Sequence, residues 1–81
     1  KETMQNKEKL KAFICETAGL DLEEINFETN LFSDGYIDSF TMASVIAYIE
    51  EELDVMVLPS EVTLENFDTI SAIDALIAAK A

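Results

Sequence analysis

Met42, Val45, Ile46, Ile49 and Leu53 recur at intervals of three and four residues, a spacing that an α-helix gathers onto one face and a β-strand would scatter over two. Asp38 stands directly ahead of this run as its N-cap. Its carboxylate can accept from the unpaired amides of the first turn and suits the positive end of the helix dipole. The pattern predicts a helix from Ser39 to about Leu53. An earlier helix is expected from Met4 to Ala18, with Met4, Leu10, Phe13, Ile14 and Ala18 on one side and Lys7, Lys9, Lys11 and Glu16 facing water. Gly19 ends it, and Leu20 is placed to pack back as in a left-handed C-cap. Thr63 is expected to cap one short turn, Leu64 to Phe67. Asp68 or Thr69 then caps a last helix, Ile70 to Ala79, whose residues Ile70, Ile73, Leu76 and Ile77 point inward.

Between the first two helices, Asp21 to Asp38 shows no sustained period, yet it carries Leu22, Ile25, Phe27, Leu31, Phe32 and Ile37. A loop this long is uncommon in a small domain and is usually functional; its hydrophobes predict that it is pinned across the helices. The expected fold is therefore all-α: one domain over residues 1–81, a small four-helix bundle of three main helices and one short helix, with a long structured loop between helices 1 and 2. A chain of 81 residues buries only about 60 to 65% of the surface its unfolded form exposes, so the core must be compact.

Charge narrows the partners. Seventeen acids oppose five lysines, with no histidine, for a net charge of −12. All the acids except Glu2 and Glu8 lie between Ala12 and Ala79, where there is no lysine. Such a surface repels nucleic acid and anionic lipid and is steered towards basic patches on proteins, or else it serves solubility alone. Cys15 is the only cysteine, so no internal disulfide forms, and it is expected in the core. There is no apolar run long enough to span a bilayer, and the expected setting is cytoplasmic, with the chain a monomer.

The stretch Ser33-Asp34-Gly35-Tyr36-Ile37-Asp38-Ser39-Phe40 poses the chemical question. A hydrolase-type serine needs a base, usually histidine held by a carboxylate; there is none, and the five lysines lie near the two ends of the chain. A calcium loop aligned on Gly35 puts Phe32 and Thr41 where oxygen ligands and the bidentate glutamate belong. One cysteine without histidine makes no zinc site, and Gly19 and Gly35 match no phosphate-binding loop. The chain is expected not to be an enzyme and to hold no metal. Ser39 is left either as part of a helix cap or as a point of attachment. Phe40 and Tyr36 are either exposed or packed on the loop. Phe40, Ala43, Ala47, Glu50 and Glu51 share another side of the second helix, which is either a docking surface or an ordinary exterior.

The string Gly35-Tyr36-Ile37-Asp38-Ser39-Phe40, followed by a helix ending Glu50-Glu51-Glu52-Leu53-Asp54, resembles the phosphopantetheine attachment region of acyl and peptidyl carrier proteins. Glu65-Asn66-Phe67-Asp68-Thr69-Ile70 resembles the segment joining their third and fourth helices, and the likeness covers about the whole chain. The resemblance implies that Ser39 Oγ receives 4′-phosphopantetheine from coenzyme A, delivered with magnesium by a phosphopantetheinyl transferase that Asp38, with Asp34, helps to engage. It implies a thiol carrying acyl or aminoacyl groups as thioesters to loading ligases and to synthase or transferase enzymes. The docking positions it implies are Phe40, Ala43, Ala47, Glu50 and Glu51, with the carboxylates meeting basic patches. Asp-Ser-Phe is more similar to aminoacyl carriers, including those for D-alanine, or to specialised lipid and polyketide carriers, than to housekeeping fatty-acid carriers, where leucine usually follows the serine. The expectation is a stand-alone carrier; the competing class is an unmodified acidic helical interaction domain.

Overall fold

A computed structural model describes residues 2–80, with side chains from Asn6 to Lys80. Helices α1 (Glu2–Ala18), α2 (Ser39–Glu52), α3 (Leu64–Phe67) and α4 (Ile70–Lys80) follow in the expected order, and there is no strand among the described residues. α1 packs against both α2 and α4, and α3 is a single turn lying on α4. Met4, expected on the inner face of α1, lies outside the residues whose side chains are described.

Helix boundaries have local causes. Gly19, at φ +75°, closes α1, and Leu20 N–H returns to Cys15 O at 2.8 Å, the outer bond of a Schellman turn. α2 stops at Leu53, after which Asp54 takes a left-handed φ of 57°, a conformation that is unfavourable for a side-chain-bearing residue. Thr63 caps α3 by accepting from Asn66 N–H. Of the two residues offered as cap for α4, Thr69 does it, its Oγ1 accepting from Ala72 N–H at 3.0 Å. Asp68 is engaged elsewhere, as described below.

One core joins all four helices and the loop. α1 contributes Leu10, Ile14 and Cys15, and α2 contributes Met42, Val45 and Ile49. α3 gives Phe67, and α4 gives Ile70, Ile73 and Ile77. Ile46, Leu53 and Leu76 sit at its edge, half-buried. Phe13 of α1 stacks on Tyr48 of α2 with ring centroids 4.4 Å apart, adding an aromatic contact to the helix pair.

The long loop is pinned, as its hydrophobes predicted: Ile25, Leu31 and Ile37 are buried in the same core, and Phe27, Phe32 and Tyr36 pack against it. Leu22 is the exception. It falls in a 3₁₀ turn, Leu22–Glu24, which touches α1 but buries none of its own residues, and stays 53% exposed. Lys7 and Lys11, expected to face water, instead lie half-buried with their ammonium groups over the Phe27 ring, at 5.6 and 5.9 Å from its centroid. A second 3₁₀ turn, Pro59–Glu61, leads into α3.

Candidate functional site

Loop and helix meet at Asp38 and Ser39. Asp38 is extended (φ −123°, ψ −171°), and its Oδ1 accepts from Thr41 N–H at 3.0 Å, while its carbonyl takes Met42 N–H. The Thr41 N–H bond holds the Asp38 carboxyl below the usual carboxylate range, outweighing partial desolvation. Asp38 is therefore the cap and carries its charge at neutral pH. Ser39 opens the helix, exposed, and no side-chain hydrogen bond engages its hydroxyl among the described residues.

Gly35 makes the approach to this point possible. Residues 31–35 form one turn that closes with Gly35 at φ +80°: Gly35 N–H donates to Phe32 O, and Tyr36 N–H to Leu31 O at 2.8 Å. The same bond pattern thus ends α1 at Gly19 and the loop turn at Gly35. Ile37 is then buried, and Asp38 and Ser39 emerge at the surface. Asp34 is exposed at the tip of this turn.

The outer side of α2 separates into two parts. Phe40 is 83% exposed, and Ala43, Ala47 and Glu51 are exposed with it. A helix places these four on one face, about 80° wide at 100° per residue. Glu50 lies at the edge of that face and is half-buried, its Oε2 accepting from Val57 N–H at 3.2 Å. One carboxylate of the pair thus anchors the segment after α2 and the other stands free. Tyr36, by contrast with Phe40, packs half-buried against the core.

What this arrangement can do is limited and definite. No cluster of three or more His, Cys, Asp or Glu side chains suited to a metal ion occurs among the described residues. Cys15 is buried, and burial pushes its thiol above the ordinary value. The geometry offers a free hydroxyl at a helix N-terminus, where the first-turn amides and the dipole favour an attached phosphate. An apolar recess of about 190 Å³, lined by Phe32, Met42, Val62, Thr63, Leu64 and Phe67, opens between the loop, α2 and α3.

Asp68 is the residue that sequence reading missed. It was offered only as a possible helix cap, whereas its carboxylate takes Phe32 N–H (2.8 Å), Ser33 N–H (3.1 Å), Ser33 Oγ (2.7 Å) and Asn30 Nδ2 (3.0 Å). These bonds, the Ser33 hydroxyl first, hold its carboxyl below the usual range. The separation of more than thirty residues left no local signal, and the preference of loop-forming Asn30 and Ser33 for polar partners was the only hint.

The family model for the phosphopantetheine attachment site matches residues 8–77, so the chain belongs to that family and is a phosphopantetheine-carrying protein, its cofactor 4′-phosphopantetheine, covalently attached. No curated protein matches the chain.

Proposed function

We propose that Ser39 Oγ is the attachment point and that the protein carries acyl or aminoacyl intermediates of a specialised lipid, polyketide or aminoacyl pathway. The observation that supports this most directly is the division of labour at the helix start: Asp38 caps α2, and the adjacent Ser39 hydroxyl is exposed and unengaged. Ser39 needs no activating base of its own. A base on the transferase takes the hydroxyl proton as the serine oxygen bonds to the phosphorus of coenzyme A next to pantetheine, and the adenosine bisphosphate leaves with the electron pair of the broken P–O bond. When bound, the group supplies a thiol that holds its cargo as a thioester.

Asp38 keeps the serine at the surface and offers a charged carboxylate beside it for the magnesium-loaded transferase, with Asp34 exposed on the preceding turn. Phe40, Ala43 and Ala47 form an apolar contact area on α2 for partner enzymes, and Glu51, with Glu50 at its margin, meets their basic patches. The first turn of α2 contains no acid, so beyond Asp38 the contact area along the helix begins with Phe40 and its charge lies lower, at Glu50 and Glu51. That distribution favours an aminoacyl or specialised carrier over a housekeeping fatty-acid one.

Intact-mass measurement after incubation with coenzyme A and a broad-specificity transferase tests the attachment. One added phosphopantetheine, absent in Ser39→Ala, supports it; folded protein that gains no mass is the unmodified interaction domain instead. The mass of the group released by thioester cleavage from natively produced protein identifies the cargo, and a long saturated acyl chain would defeat the specialised-pathway reading.

A further inference from the structure

Asp68 does not touch Ser39, yet it governs the backbone that leads there. Besides the carboxylate bonds to Asn30, Phe32 and Ser33, its carbonyl accepts Leu31 N–H at 2.6 Å, so residues 30 to 33 all donate to this one residue. The held segment passes the constraint on. Asn30 O accepts Asp34 N–H at 3.2 Å, Phe32 O accepts Gly35 N–H at 3.0 Å, and Leu31 O accepts both Tyr36 N–H (2.8 Å) and Ile37 N–H (3.2 Å). Residues 30–37 are thus one hydrogen-bonded unit, fastened at its start to the α3–α4 corner and ending directly before Asp38 and Ser39.

The carboxylate is available for this because neighbouring hydroxyls do the capping: Thr63 caps α3 and Thr69 caps α4. The chemistry also requires a carboxylate. Each of its oxygens takes two donors here, and an amide of the same shape has one acceptor oxygen and would set its own N–H₂ against Asn30 Nδ2. Phe32, whose N–H Asp68 holds, also lines the recess between the loop, α2 and α3.

We infer that Asp68 is a positioning residue for the modification of Ser39: by fixing the 30–37 unit to the α3–α4 corner it keeps Asp38 and Ser39 in the presentation that the transferase recognises. This rests on Ser39 being the acceptor. Without the anchor the unit samples other conformations, and the apparent affinity of the transferase falls by the fraction of chains that remain competent, while the bound complex reacts normally.

The test measures transferase kinetics and amide exchange on the same full-length variants. Asp68→Ala is expected to raise the KM of the carrier about tenfold with kcat nearly unchanged, if roughly one chain in ten keeps the competent loop. Ser33→Ala, which removes a single hydroxyl, gives a smaller rise of the same kind, and Asp68→Asn falls between them. Amides of Tyr36 and Ile37 exchange faster in Asp68→Ala than in wild type, while those of Val45 and Ile49 keep their protection. Ile73→Val, a loss of packing in the core, controls for general destabilisation and leaves KM unchanged. Unchanged exchange at Tyr36 and Ile37 overturns the inference, as does faster exchange with unchanged KM. Failure of the Ser39 reading is seen separately, as absent modification of the wild type or persistent modification of Ser39→Ala; the exchange data still decide whether Asp68 sets the loop.

Discussion

Asp38 Oδ1 accepts Thr41 N–H at 3.0 Å, and this bond satisfies the start of α2 without calling on the hydroxyl of Ser39. The cap and the proposed attachment point are adjacent residues, and substitution can separate their roles. Asp38→Asn keeps a capping oxygen but loses the charge, so it is expected to melt within about 2 °C of wild type, while Asp38→Ala melts about 5 °C lower. Both are expected to be modified more slowly at Ser39. Calorimetry with transferase kinetics checks this; full modification rates in Asp38→Asn would mean that the aspartate serves the helix alone.

The outer face of α2 gives a second test. Phe40 is 83% exposed, so Phe40→Ala is expected to leave the melting temperature unchanged and to slow loading by partner enzymes. Charge reversal separates the two glutamates. Glu51→Lys weakens loading in low salt without destabilising the fold, whereas Glu50→Lys also lowers stability because it removes the acceptor of Val57 N–H. Equal stability of the two variants in urea unfolding would show that the Val57 bond contributes nothing.

Asp54 carries the only left-handed φ of a non-glycine residue among the described residues, 57°. Asp54→Gly relieves this strain and removes a negative charge from the negative end of the α2 dipole. The urea midpoint is expected to rise by an amount equivalent to about 1 kcal/mol. A lower midpoint would show that the side chain makes a compensating contact.

Acid affects this protein in two opposing ways. Asp68, Asp38 and Glu61 have folded values below the ordinary 3.8, 3.8 and 4.5, through bonds to Ser33, Thr41 and Lys80 respectively. A carboxyl with a depressed folded value contributes stability above its unfolded value and loses it as pH falls through the folded one. These three therefore weaken the fold below about pH 4. Asp74, only 2% exposed on α4, has a folded value raised above 3.8 by burial, with Lys7 opposing the rise. Its sign is reversed: stability increases as pH falls through the raised value, and the gain is complete below the unfolded one. Urea midpoints are expected to fall below about pH 4, with Asp74 offsetting part of the loss as its carboxyl takes up a proton. Asp74→Asn should be more stable than wild type at pH 7, with the advantage shrinking on acidification; an advantage that stays constant with pH would remove Asp74 as the cause.

Periodicity and capping chemistry made much of this molecule legible in advance. The α2 face of Met42, Val45 and Ile49, the Gly19 stop and the Thr63 cap are all written within a few residues of where they act, and the structure has each of them. The reading of Lys7 and Lys11 as solvated failed for want of a distant partner, the Phe27 ring. Leu22 failed in the opposite sense, since its type suits the core but its side chain stays exposed on a turn that buries none of its residues.

The sequence by itself determined the helices, the pinned character of the loop, the acidity and the candidacy of Ser39, because each depends on side-chain type and on spacing along a few turns of chain. Only the tertiary structure decided that Phe40 is exposed while Tyr36 is half-buried, that Glu50 is engaged while Glu51 is free, and that Asp68 holds the loop that precedes α2. Those are relations between surfaces that meet only after the chain has closed on itself: the hydrogen bonds from Ser33 to Asp68 cross 35 positions, and no local propensity encodes a contact at that range.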